Sequence, residues 1–285
     1  MIQSEPRMPE LDHKSLRVMR PSHGLISLQL LRLWEYRELL FFLAWRDLKV
    51  RYKQTVLGVA WAILQPLATM LVFSIFFGRL AKIPSAGVPY PIFVYCALVP
   101  WQMFSFVLTE SGNSLLHNQY MLTKIYFPRL VVTIAPVLTA LVDFAVAFTM
   151  LVGMMVYYGV VPKATVLLLP FFLALALLTA LAVGVWLAAL TAEYRDVRHT
   201  IPFLTQFWMY VTPIVYPSSL VPEKWRILYG LNPMAGVVEG FRWALLGTPP
   251  TPLAALFPSL LLVLLLLFSG LIYFRRLEST FADVI

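Results

Sequence analysis

The chain has 285 residues, of which 60% are hydrophobic and only 13% are charged, and its formal net charge is +8 at pH 7. A soluble domain carries roughly 25% charged residues, so this composition excludes an ordinary water-soluble protein and predicts a protein embedded in lipid. Membrane proteins concentrate Lys and Arg in their cytoplasmic loops, so the basic charge does not require a nucleic-acid partner.

The first 53 residues precede any stretch that could cross a membrane. Residues 1–33 are polar and mixed in charge, without a short apolar core and cleavage site, so we predict a cytoplasmic tail and no signal peptide. Residues 34–53 carry charges at both ends around an uncharged stretch, 39–45, which is too short to span. With Trp and Tyr beside basic residues, this segment predicts an amphipathic helix in the membrane interface.

Six later stretches are long and apolar enough to be membrane spans, for which about 20 residues are needed. They are 57–78, 90–112, 130–158, 164–190, 199–216 and 252–274. The fifth is the shortest, and the third is so long that tilt or a kink at Pro136 must accommodate it. Six spans place both termini on one side, and most Lys and Arg outside the spans lie there, which predicts cytoplasmic termini.

Residues 218–250, between spans five and six, are apolar enough to suggest a seventh span but contain Glu239 and Arg242. A charge at the bilayer centre costs about 2.5–3.5 kcal/mol on insertion scales. We therefore predict two short helices that enter from the outer face and return, with a break at Asn232-Pro233. The predicted fold is an all-α membrane protein, with a permease domain over 34–285.

Sequence motifs that would indicate nucleotide binding, metal binding or catalysis are scarce. No Gly-Lys dipeptide occurs, so a phosphate-binding loop is absent and any ATP hydrolysis must come from another chain. The single cysteine, Cys96, and four dispersed histidines do not indicate a metal site. A membrane glycosyltransferase stays open as an alternative, although no Asp-x-Asp pair supports it. An ion-coupled carrier is a third possibility, in which the mid-span Asp143 would matter; such a residue more often pairs with a neighbouring helix.

Three stretches occur in an order and spacing typical of one family. They are RDLKVRYKQTVLGVAW at 46–61 with Gln65-Pro66, KIYFPR at 124–129, and YRDVR at 194–198 followed by TPIVYP at 212–217 and LNPM at 231–234. Over residues 34–275 the chain resembles the type-2 ABC permeases that export polysaccharides, the class that handles O-antigen, teichoic acid and capsule.

The resemblance implies a bacterial inner-membrane exporter for a lipid-linked surface polysaccharide. It implies a homodimer of six-span subunits, a channel at the dimer axis, and two copies of a separate cytoplasmic ATPase. ATP and Mg would bind to that ATPase, and no cofactor is expected in this chain. A small-molecule or lipid exporter of the same architecture remains an alternative.

A sugar polymer needs a conduit of aromatic rings and neutral hydrogen-bonding groups. Polar and aromatic residues recur at steps of three or four on the first and fifth spans, which places them on one face of each helix. We predict that these faces line the channel: Trp61, Gln65, Thr69, Thr205, Gln206, Met209, Thr212 and Tyr216. The alternative is that these groups join helices to one another by hydrogen bonds.

Two groups of mixed charges suit docking to an ATPase. They are Arg46, Asp47, Lys49 and Arg51 before the first span, and Glu193, Arg195, Asp196 and Arg198 after the fourth. Four aromatic residues of the outer helices are candidates for an outer gate, or for anchors at the interface: Trp225, Tyr229, Phe241 and Trp243. Gly236 and Gly240 lie four residues apart, a spacing that permits close helix contact.

Overall fold

The computed structural model describes residues 34–53, 58–125, 127–249 and 256–278, and all regular structure within these ranges is helical. The predicted tail, 1–33, lies outside the described residues. The helices are α1 (Arg37–Lys53), α2 (Ala60–Phe73), α3 (Tyr90–His117), α4 (Gln119–Leu122), α5 (Leu130–Tyr157), α6 (Leu169–Glu193), α7 (Val197–Val211), α8 (Glu223–Gly230), α9 (Pro233–Leu246) and α10 (Phe257–Glu278).

Five helices in the described ranges are long and apolar enough to cross a membrane. They are α2 with its π-helical extension Ser74–Leu80, α3, α5, α6 with the 3-10 turn Ala164–Leu168 before it, and α10. These confirm the predicted spans one to four and six to within a few residues. Prediction and structure agree because apolar runs of this length are stable only in lipid or in the protein interior.

The predicted fifth span, 199–216, is wrong in length. Helix α7 has 15 residues and ends at Val211, which gives a rise of about 22 Å against a hydrocarbon thickness of about 30 Å. Thr212 is extended, with φ −93° and ψ 142°, because the ring of Pro213 disfavours helical geometry in the residue before it. The chain then turns through Tyr216 into the 3-10 turn Ser218–Leu220.

Helix α3 forms the centre of the bundle and packs against α5 and α6. Small and hydroxylated residues allow the close approach. A Cβ on Gly184 of α6 would lie 2.8 Å from the Cβ of Ser111, and the Ser111 hydroxyl donates to the Thr133 carbonyl of α5 at 2.7 Å. In lipid, helices associate through close contacts between small residues of this kind more than through the interdigitation of large side chains. Helix α10 packs against α6, and α9 packs against both α3 and α6.

The bundle has two distinct ends. At the α1 end, α1 packs on α5, the Arg46 guanidinium donates to Asn118 at 2.9 Å, and the Tyr273 hydroxyl donates to Glu193 at 2.8 Å. At the α9 end, the hydroxyl of Tyr90 donates to the Val215 carbonyl at 2.7 Å. Helix α2 joins the two ends along α3 and α5, and most of its surface is exposed.

Candidate functional site

A polar cavity of about 620 Å³ lies between α2, α3, α5 and α7. It extends from the α1 end of the bundle towards its middle. Its walls mix aromatic rings with neutral hydrogen-bonding groups. The residues that carry its polar and aromatic character are Arg51, Tyr52, Trp61, Gln65, Thr69, Trp101, Gln102, Ser105, Phe106, Thr109, Glu110, Asp143, Phe144, Thr205 and Gln206.

Six of the eight residues that the sequence assigns to the channel line this cavity. They are Trp61, Gln65, Thr69, Thr205, Gln206 and Met209. The steps of three and four therefore did place the two faces towards one space. The Trp61 ring is 54% exposed, which leaves it open to a ligand in the cavity.

The hydroxyls of the cavity threonines bond to their own helices. Thr69 donates to the Gln65 carbonyl at 3.0 Å, and Thr205 donates to the Ile201 carbonyl at 3.1 Å. A hydroxyl bonded in this way keeps its oxygen as an acceptor. These two hydrogen bonds lie within single helices. Thr69 and Thr205 therefore do not join helices to one another through them, as the alternative would require.

The last two predicted channel residues lie elsewhere. Thr212 is buried, donates to the Trp208 carbonyl at 2.9 Å and accepts from the Asn232 amide at 3.1 Å. Asn232 also accepts from Trp208 Nε1 at 2.8 Å and caps α9 by accepting from the Met234 N–H at 3.1 Å. Here the interhelical alternative does hold, because this network ties the end of α7 to the start of α9. Tyr216 lies beyond it, with its hydroxyl 3.4 Å from that of Tyr229.

Asp143, at the middle of α5, is paired with the end of α1. Its carboxylate accepts hydrogen bonds from the Arg51 guanidinium and from the Tyr52 hydroxyl. Burial, followed by the hydrogen bond to Asp143, raises the pKa of Tyr52, so its hydroxyl stays protonated and donates. The guanidinium of Arg51 also lies 4.1 Å from the centre of the Phe106 ring. The predicted pairing of Asp143 with a neighbouring helix is confirmed.

The sequence analysis missed the face that α3 contributes to the cavity. Gln102, Ser105 and Thr109 lie at steps of three and four, the same periodic signal that identified α2 and α7. Glu110 follows them, and its carboxylate lies 3.6 Å from Nδ1 of His117 on the same helix. Within the described ranges no three His, Cys, Asp or Glu side chains come together as a metal site would require.

At the α9 end, Arg242 is fully buried and fixes the turn that follows α7. It donates to the carbonyls of Pro213 at 2.6 Å, Ile214 at 2.7 Å and Phe93 at 3.2 Å. It also contacts Glu239 at 3.4 Å, and that carboxylate accepts from the Ser218 N–H at 3.2 Å. Burial lowers the pKa of Arg242 to about 10, so the group remains charged near neutral pH.

The chain matches the family described as ABC-2 type transporter over residues 38–246, which include the whole cavity wall. The chain belongs to this family. The match extends from α1 to the end of α9 and leaves out α10.

Several known permeases are similar to this ABC-2 transporter along most of its length. An O-antigen export system permease protein from Myxococcus xanthus is 30% identical over 74% of this chain and 81% of its own length. One of the same description from Klebsiella pneumoniae is 26% identical over 87% of this chain and 95% of its own length. A polysialic acid transport protein from Escherichia coli is 23% identical over 82% of this chain and 91% of its own length.

The two groups of predicted ATPase-docking residues of this ABC-2 transporter differ in surroundings. Arg195 and Asp196 are exposed in the turn between α6 and α7, and Glu193 and Arg198 are exposed at the helix ends on either side of it. In the other group, Lys49 is exposed near the Trp45 ring, and Arg46 bonds to Asp47 and Asn118. Arg51 lines the cavity, so α1 joins this group of charges to the cavity wall.

The four predicted gate residues do not share one surface. Trp225 is 52% exposed, whereas Phe241 is fully buried and meets Phe144 edge-on at 6.1 Å. Tyr229 and Trp243 are half-buried. A Cβ on Gly240 would lie 2.2 Å from the Phe172 ring and one on Gly236 would lie 2.2 Å from Leu256, so the close contacts expected from this spacing are present.

Proposed function

We propose that this chain is the transmembrane subunit of an ABC exporter that moves a lipid-linked surface polysaccharide from the cytoplasm across a bacterial inner membrane. Its membership of the ABC-2 transporter family supports a transport role. The similarity to O-antigen export permeases and to a polysialic acid transport protein supports a polysaccharide cargo. The observation that carries the proposal is the cavity, which combines exposed aromatic and neutral polar side chains in a chain of this family.

The lining of the cavity suits a sugar polymer. A sugar ring has weakly apolar faces that stack on aromatic rings and a rim of hydroxyls that exchange hydrogen bonds with amides and hydroxyls. Trp61 supplies an exposed ring, and Gln65, Gln102 and Gln206 supply amides with both donors and acceptors. Neutral groups of this kind bind each sugar weakly enough for a long chain to move past them.

We infer that the working unit is a homodimer. Aromatic side chains on one face of α7 are widely exposed, with Phe203 at 70%, Phe207 at 58% and Tyr210 at 61%. Helix α2, which lines the cavity together with α7, is also exposed over most of its surface. A second copy placed here would cover these faces and enclose the cavity as a channel at the dimer axis. Cross-linking of single cysteines at Phe203 positions across the dimer tests this arrangement.

We also propose that the chain crosses the membrane six times, with both termini in the cytoplasm. The α7 segment, together with the turn that follows it, would supply the fifth crossing in chain order. Helix α1 exposes Phe41, Phe42 and Trp45 on the side away from the bundle, as a helix in the membrane interface would. Helices α8 and α9, which break at Asn232-Pro233 as predicted, would enter from the outer face and return.

The energy source is a separate ATPase, which would carry ATP and Mg. The proposal predicts that the purified chain forms a complex with such an ATPase. In a reconstituted bilayer, ATP turnover should require both proteins and should rise when lipid-linked polysaccharide is added. A complex that turns over ATP but responds to small lipophilic compounds instead would favour the small-molecule exporter. A folded chain that binds no ATPase would contradict the proposal.

A further inference from the structure

The charges that line the translocation cavity are unequal in number. Among its described lining residues there are two carboxylates, Glu110 and Asp143, and one cation, Arg51. Pores for anions carry rings of Lys or Arg, and pores for cations carry rings of Asp or Glu. A polymer with a carboxylate on every sugar would need cations along this wall.

Arg51, the one cation among the described lining residues, is already engaged. Arg51 donates to the Asp143 carboxylate and lies over the Phe106 ring. Its charge is thereby compensated within the wall. Glu110 has a looser contact, 3.6 Å from His117 Nδ1, and that imidazole is cationic only when protonated. The lining therefore presents acidic and neutral groups to whatever occupies the cavity.

A second cavity, of about 400 Å³, lies at the α9 end. Among its described lining residues the single cation is Arg242, and the single carboxylate is Glu239. The Arg242 guanidinium is directed at three main-chain carbonyls and at Glu239. It is fully buried and holds the α7 turn, so it is not available to bind an anionic sugar.

We propose that Glu110 and Asp143 make this transporter selective for an uncharged glycan and exclude polymers that carry a carboxylate on each sugar. The inference rests on the proposed export function and specifies its substrate class. Glu110 contributes a carboxylate whose described counter-ion is the ionisable imidazole of His117, and Asp143 neutralises the cation that would otherwise attract a polyanion. The Asp143 side chain is 22% exposed and that of Glu110 is 37% exposed, and partly buried charges interact more strongly than charges in bulk water.

The test compares two probes that differ only in the sugar. The full-length chain is reconstituted with its partner ATPase in nanodiscs. ATP turnover is measured with a mannose oligomer and with a sialic acid oligomer of equal length, each on the same polyprenyl diphosphate. Because the carrier is shared, its own charge cancels in the comparison. We expect the neutral probe to stimulate turnover about tenfold more than the acidic probe.

Variants of cavity residues test whether the discrimination between the two probes arises in the cavity. Glu110→Gln and Asp143→Asn should each raise the ratio of turnover with the acidic probe to turnover with the neutral probe several-fold. Gln102→Lys adds a cation to the same wall while keeping the pair between Arg51 and Asp143, so it tests the idea even if Asp143→Asn folds poorly. Glu38→Gln is the matched control, because it removes an exposed carboxylate of α1 outside the cavity.

The outcomes separate this inference from the export function. Equal stimulation by the two probes would overturn the selectivity and leave polysaccharide export standing. Discrimination that persists unchanged in all three cavity variants would place selectivity in the ATPase and overturn the role of Glu110 and Asp143. A stable complex that responds to neither probe would contradict the export proposal itself, and the inference would fall with it.

Discussion

Arg51, near the end of α1, binds the carboxylate of Asp143 in the middle of α5, and Tyr52 donates to the same carboxylate. The contact joins the helix that carries the first group of candidate docking charges to the wall of the cavity between α2, α3, α5 and α7. A displacement of α1 by the proposed ATPase would therefore act directly on a charged group that lines the proposed transport path.

The first prediction concerns this pair. Arg51→Ala and Asp143→Ala should each lower the melting temperature of the purified chain, because each leaves the partner charge partly buried without its counter-ion. The double variant should be no less stable than the worse single variant, with a coupling energy of about 1 kcal/mol. Additive losses of stability would show that the two side chains act independently. Lys53→Ala, at the exposed end of the same helix, is the control.

The second prediction concerns Arg242. Replacement by Met removes a fully buried cation and leaves three carbonyls and Glu239 without their donor, which should cost about 3–5 kcal/mol. Arg242→Met should therefore reduce the yield of folded protein and lower the melting temperature sharply. Arg79→Met, which removes an exposed charge at the same end of the bundle, should leave both quantities nearly unchanged. Equal behaviour of the two variants would contradict the structural role of Arg242.

Hydropathy predicted the long spans because the ability of a run of about 20 residues to cross a membrane depends only on its own composition. The break at Asn232-Pro233 was predictable for a similar local reason, since Pro restricts the residue before it and Asn caps the helix that follows. The short length of α7 was also encoded locally, at Thr212-Pro213, but hydropathy over a wide window conceals it.

Other features depend on contacts between distant residues and could not be predicted in this way. Arg242 reads in the sequence as a loop charge, and only the packing of α9 against α3 and the α7 turn explains its burial. In the sequence, Arg51 is one basic residue among several. Its partner, Asp143, lies 92 positions away, so the sequence does not show that the two form a pair. The polar face of α3 was present in the periodicity, yet the high overall hydrophobicity of that helix hid it.

The third prediction tests the close approach of α9 to α6. In Gly240→Ala the new Cβ would lie 2.2 Å from the Phe172 ring, so the helices must separate or the ring must move. We expect a loss of about 1–3 kcal/mol from overpacking. Gly153→Ala in α5 is a matched control, because nothing lies within 4 Å of its Cβ position. That change should be neutral or stabilising, since Ala is about 1 kcal/mol better than Gly in a helix interior.

A smaller side chain at position 172 should relieve the clash that Gly240→Ala introduces. Phe172→Leu combined with Gly240→Ala should recover part of the lost melting temperature, although Phe172→Leu alone should be destabilising. If Gly240→Ala is as stable as Gly153→Ala, the close contact between α9 and α6 does not exist in the membrane.

The fourth prediction concerns the exposed turn between α6 and α7 as an ATPase-docking surface. Arg195→Glu and Asp196→Arg each reverse one charge of a mixed pair and should weaken binding of the ATPase about tenfold. The melting temperature of the isolated chain should not change, because both side chains are exposed. The measurement is the affinity of the detergent-solubilised chain for the ATPase, together with ATP turnover of the reconstituted complex.

Two comparisons make this test specific. Lys224→Glu reverses an exposed charge at the α9 end, which would face away from a cytoplasmic ATPase, and it should leave affinity and turnover unaffected. The double reversal, Arg195→Glu with Asp196→Arg, should bind better than either single variant if only the local balance of charge matters, and no better if each residue meets a fixed partner. Wild-type affinity in both single variants would exclude this turn as the docking surface and leave α1 as the remaining candidate.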